Sequence, residues 1–96
     1  MDLNELRIKY KGQILELAEK YNASNVRIFG SLARGQATSK SDIDILVHFN
    51  KKASLLDESA LGLELSDLIG QKVDIIGDDA IRIELKPFII NEARPL

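Results

Sequence analysis

The segment Ser41-Asp42-Ile43-Asp44-Ile45-Leu46-Val47 constrains this chain more than any other stretch. Ile43 to Phe49 is apolar and rich in β-branched residues, the pattern of a buried strand. In a strand, residues i and i+2 point to the same face. Asp42 and Asp44 therefore stand side by side at the mouth of a hydrophobic strand. Like charges that close repel, and partial burial strengthens the repulsion. Stability alone gives no reason for the pair, and a divalent cation would remove the conflict.

The rest of the chain offers few alternatives to that chemistry. With 96 residues it is expected to form one domain, residues 1–96, with a modest core. There are no cysteines, which excludes disulfides and thiolate metal sites. The 13 basic residues are scattered and the net charge is -2, so direct nucleic-acid binding is not expected. No apolar stretch approaches the roughly 20 residues that span a bilayer. The first residues are acidic and amphipathic, unlike a signal peptide, so the expected location is cytoplasmic.

Leu3, Leu6, Tyr10, Ile14, Leu17 and Tyr21 recur at helical spacing and predict a helix over Asp2–Tyr21. Asn22 to Asn25 reads as a turn, Val26–Phe29 as a short strand, and Gly30–Ser41 as a loop with one helical turn after Ser31. Asp42–Phe49 follows as the second strand. Leu55–Ile69 is a leucine-rich helix with Gly70 as its C-cap. Lys72–Ile76 is a third strand, closed by Gly77-Asp78-Asp79. Ala80–Ala93 is read as short helices interrupted by Pro87. This order describes an α/β (α+β) fold, a small mixed β-sheet flanked by helices, with the second and third strands parallel across a helical crossover.

Asp74 is the one charge inside the third strand, Lys72-Val73-Asp74-Ile75-Ile76. If strands two and three are neighbours, Asp74 lies across from the Asp42–Asp44 pair and three carboxylates converge. Taken alone, Asp74 could equally be an edge residue. An oxygen-only set suits Mg²⁺ or Mn²⁺ rather than zinc. Two such ions can clamp an in-line phosphoryl or nucleotidyl displacement.

Upstream, Val26-Arg27-Ile28-Phe29 runs straight into Gly30-Ser31. Gly30 lets the backbone approach a ligand without a Cβ in the way. The amides that follow can cradle an anion, and the Ser31 hydroxyl adds a donor. Arg34 lies within reach of phosphates or an acceptor.

Gly30-Ser31, ten residues, then Asp42-Ile43-Asp44 resembles the signature of the DNA polymerase β-like nucleotidyltransferase superfamily. The fuller string, Gly30-Ser31-Leu32-Ala33-Arg34-Gly35 through Ser41-Asp42-Ile43-Asp44-Ile45-Leu46-Val47, is similar to the minimal nucleotidyltransferases (MNT) that pair with HEPN-domain proteins. The resemblance implies a polymerase β-like fold over the whole chain. It implies Asp42, Asp44 and Asp74 as catalytic residues and Mg²⁺ ligands, for two ions. It also implies Gly30, Ser31, Arg34 and Ser41 around bound ATP. The implied activity is transfer of AMP to a tyrosine of a HEPN ribonuclease toxin, with this chain as antitoxin in a hetero-oligomer. Two other functions stay open: neutralisation of a partner by occlusion alone, and transfer to a small molecule such as an aminoglycoside.

Other residues carry blander expectations. His48, the only histidine, reads as a strand-end surface residue on the Asp44 face. Tyr10 and Tyr21 fit the core or its rim, Lys51-Lys52 a solvated turn, and Leu61, Leu65 and Leu68 the sheet-packing face of the second helix. The apolar run Leu85-Lys86-Pro87-Phe88-Ile89-Ile90 either completes the core or forms a partner surface.

Overall fold

The computed structural model describes all residues, Met1–Leu96. Helix α1 (Leu3–Lys20) begins at Asp2, whose side chain accepts the Glu5 N–H at 2.8 Å. This is a standard N-cap for one of the orphan amides of the first turn. Strand β1 (Ala23–Phe29) leads into a single helical turn, α2 (Gly30–Ala33). Strand β2 (Ile43–Phe49), helix α3 (Leu55–Ile69) and strand β3 (Val73–Gly77) follow. A 3-10 turn (Asp78–Ala80), helix α4 (Lys86–Glu92) and a two-residue strand β4 (Arg94–Pro95) complete the chain.

The sheet order is β3-β2-β1-β4. β2 pairs in parallel with β3, as the helical crossover requires, while β1 is antiparallel to both β2 and β4. Strand alternation sorts the sheet into two faces. Ile28, Ile43, Ile45, Val47 and Val73 point toward α1 and α3, where they bury with Leu6, Ile14, Leu61 and Leu65. The alternate residues define the opposite face, where Phe29 pairs with Asp44, Arg27 with Leu46, and Asp44 with Asp74. The hydrophobic face fixes the register, because a slip of β2 by one residue would turn Ile43, Ile45 and Val47 outward and Asp44 into the core.

Helix α3 is held at both ends. Ser54 and Asp57 form a reciprocal capping box, and Gly70 closes the helix in the left-handed conformation at φ 78°. Near its end, the Ser66 hydroxyl donates to the Gly62 carbonyl at 2.8 Å and accepts the Val73 N–H at 2.9 Å. That second bond ties the helix to the residue that precedes Asp74.

Several expectations need correction. β1 starts at Ala23 rather than Val26, because Asn22 and Asn25 adopt positive φ and the pairing is irregular between Ser24 and Arg27. Asparagine tolerates that conformation, so a turn-like sequence sits inside a bulged strand. Pro87 lies in the first turn of α4 rather than interrupting it. The missing N–H is an orphan there in any case. The apolar run does not complete the core, since Leu85 and Phe88 are exposed; Leu96 packs there instead.

Candidate functional site

Asp44 is where three elements meet. Its strand partner on one side is Phe29, the last residue of β1, and on the other Asp74. Gly30 follows Phe29 at φ 73°, and a Cβ built there would lie 2.2 Å from the Asp44 Oδ2. Gly30 is therefore required twice, by its backbone conformation and by the carboxylate pressed against it. Asp42 enters from the loop just before β2. The Ser41 hydroxyl accepts the Thr38 N–H at 2.9 Å, which shapes that loop.

The electrostatics follow from the placement. Burial, then the neighbouring charges of Asp74 and Asp42, push the Asp44 carboxyl above the usual carboxylate range, and Arg34 only partly opposes them. The Lys72 ammonium relieves part of the conflict. It lies 3.7 Å from Asp42 and 3.8 Å from Asp74, bridging the two carboxylates. The carboxylate oxygens of Asp42, Asp44 and Asp74 do not all come within 4.8 Å of one another. The triad therefore shares a face and a neighbourhood without closing on a single point. An interposed ammonium marks the place as one that takes positive charge, and an all-oxygen donor set fits a hard divalent cation.

The Gly-Ser turn faces the same region. The Ser31 carbonyl accepts the Gln36 N–H at 2.8 Å, which closes the turn after α2. Arg34 ion-pairs with Glu92 at the end of α4, and its Nε donates to Gln36 Oε1 at 3.1 Å. The Gly30 N–H also points to Glu92, at 3.4 Å. The sequence reading named neither Glu92 nor the bridging role of Lys72. Lys72 had a detectable signal, standing two residues from Asp74 on the same strand face, whereas Glu92 is 62 residues from Gly30 with nothing local to mark it.

Beside Asp74, a groove of about 710 Å³ runs between α3 and β3, lined by Leu55, Leu63, Ile75 and Gly62 among others. Farther along the sheet, His48 is exposed as expected and bonds Asp78 at 3.0 Å; Arg27 reaches the same carboxylate at 2.9 Å. His48, Asp78 and Asp79 bring their ligand atoms within 4.8 Å of one another, a second acidic cluster outside the predicted set.

Comparison with known proteins gives this arrangement a family. The profile of the nucleotidyltransferase domain matches residues 11–95. A candidate protein adenylyltransferase of Methanocaldococcus jannaschii is 40% identical over 97% of this chain and 96% of its own length. A solved structure of a candidate minimal nucleotidyltransferase superposes with a TM-score of 0.88 at 41% identity, covering 100% of this chain and 97% of the other. At 17% identity and a TM-score of 0.67, the fold is shared with a complex described as a tri-AMPylated Shewanella oneidensis HEPN toxin with its MNT antitoxin, over 88% of this chain and 66% of that one. Matched along nearly its whole length in sequence and in fold, the chain belongs to the nucleotidyltransferase-domain family, alongside the minimal nucleotidyltransferases.

Proposed function

We propose that this protein is a Mg²⁺-dependent adenylyltransferase that moves AMP from ATP to a tyrosine hydroxyl of a HEPN-type ribonuclease toxin, and so acts as its antitoxin in the cytoplasm. One observation carries the reading: Asp44 sits in register with Asp74 while its carboxylate fills the space that a Gly30 side chain would need. The Gly30-Ser31 turn and the acidic face are thereby built against each other. The relatives named as adenylyltransferases and the AMPylated HEPN toxin bound to an MNT fold support the choice of reaction and partner.

Asp42, Asp44 and Asp74 would hold the Mg²⁺, which when bound neutralises charge on the phosphates. The Gly30 N–H, the Ser31 hydroxyl and Arg34 hold the β and γ phosphates. Ser41 fixes the loop that delivers Asp42. Asp74 accepts the acceptor's proton as the new O–Pα bond forms, and the bond from Pα to the pyrophosphate oxygen breaks. The side chains of Asp42 and Asp74 are 44% and 43% exposed, so an acceptor carried on another protein can reach them. A small-molecule acceptor finds less support, because the groove beside Asp74 is open rather than enclosing.

Neutralisation by occlusion alone is the second reading, favoured by the exposed Leu55, Leu56 and Phe88. Incubation with the partner and ATP labelled at the α or the γ phosphate separates the two. We expect label from the α position only on the partner protein, reduced about a hundred-fold or more in Asp42→Asn and Asp44→Asn. Label from the γ position would make the protein a kinase. No label, with the toxin still neutralised, would establish occlusion.

A further inference from the structure

Glu92 puts a fourth carboxylate beside three that already repel one another, and its charge adds to the pressure on Asp44. The fold goes to some length to place it. β4 pairs Arg94 with Ile28, and the Leu96 N–H bonds the Val26 carbonyl at 3.1 Å while its side chain enters the core. Those contacts pin the chain just after Glu92 and carry the end of α4 alongside Gly30. Glu92 then divides its oxygens between two donors. One accepts from the Arg34 guanidinium, and the other faces the Gly30 N–H at 3.4 Å.

An anion with separate oxygens on a guanidinium and a glycine amide makes the contacts that a phosphate would make at the same donors. We propose that Glu92 is an internal competitor for the phosphate tail. It fills the Gly30 and Arg34 donors in the nucleotide-free protein, and a nucleoside triphosphate binds by displacing it. This rests on the reading above that Gly30 and Arg34 serve the phosphates. Nucleotide binding is weakened by the strength of the contact it breaks, and the donors are never left without an anion when the nucleotide leaves. Because Glu92 is 24% and Arg34 49% exposed, the pair opens without unfolding the sheet.

The test is calorimetric titration of the full chain with ATP and Mg²⁺ in four forms: wild type, Glu92→Gln, Arg34→Met and the double variant. Displacement predicts that Glu92→Gln tightens ATP roughly two- to five-fold, the range of an exposed ion pair. Arg34→Met should weaken ATP, and the gain from Glu92→Gln should shrink in the Arg34→Met background, where only the Gly30 N–H is left to compete for. Unchanged or weaker ATP binding in Glu92→Gln, with Arg34→Met still impaired, overturns the proposal and leaves the phosphate site standing. A gain undiminished in the double variant also overturns it, since removing a distant charge would suffice. Full ATP affinity in Arg34→Met overturns the assignment of Arg34 to the phosphates, and this proposal with it. Should Glu92→Gln fail to fold, ¹³C NMR of the wild-type Glu92 carboxylate reads the same event. Its resonance should move at saturating ATP, and an unmoved resonance refutes displacement.

Discussion

A single carboxylate, Asp44, shows how chemistry is set against stability in this chain. Burial and the neighbouring aspartates raise its carboxyl above the unfolded value, so between those two values the folded protein binds more protons than the unfolded one. Stability then falls as pH rises through that window and stays lower at neutral pH. Asp44→Asn removes the penalty. In chelator we expect it to melt a few degrees above the wild type at pH 7, with the advantage shrinking as pH falls through the raised value and gone below about 4. Equal melting temperatures at pH 7 would show that Lys72 and Arg34 already cancel the repulsion. The same residue explains why Gly30 tolerates no side chain, a constraint that comes from the facing strand and not from the turn alone.

At the level of elements, β2 and β3 announce themselves because isoleucine and valine alternate with aspartate, so faces and neighbours follow from the pattern. α1 and α3 are legible from their three- and four-residue spacing, with Gly70 as the cap of α3, whereas the caps at Asp2 and Ser54 emerge only in the structure. β4 is not, because two residues, Arg94 and Pro95, have no periodicity and exist as a strand only through their pairing with β1. Glu92 escaped notice with it, since its meaning depends on that pairing. His48 joins the end of β2 to the turn after β3. Its hydrogen bond and charge interaction with Asp78 raise the imidazolium pKa. Burial alone would lift the Asp78 carboxyl, but the hydrogen bonds and charges of His48 and Arg27 outweigh it and hold the carboxyl below its usual range. The His48 contribution is thus fully present below about pH 6.5 and lost as pH rises through the raised value. Urea midpoints of the wild type should drop across that window, and those of His48→Gln should stay flat there. A matching drop in His48→Gln would assign the pH dependence elsewhere.

Across the whole molecule, labour is divided between the two faces of one sheet. Ile28, Ile43, Ile45, Val47 and Val73 supply the core against α1 and α3, and no helix is long and apolar enough to cross a membrane. The opposite face carries the charge around the buried Phe29 and Leu46: Asp42, Asp44 and Asp74 with Lys72 between two of them, and Glu92 on Arg34 beside Gly30. In the nucleotide-free protein, internal ions occupy the positions where the proposed reaction needs external ones. The most direct test is anomalous diffraction from crystals of the full chain grown with Mn²⁺ and a non-hydrolysable ATP analogue. Manganese bound by Asp42 and Asp44, with the triphosphate on the Gly30-Ser31 turn, is the expected result. Manganese only at His48, Asp78 and Asp79, or a triphosphate lying away from Gly30, would contradict it.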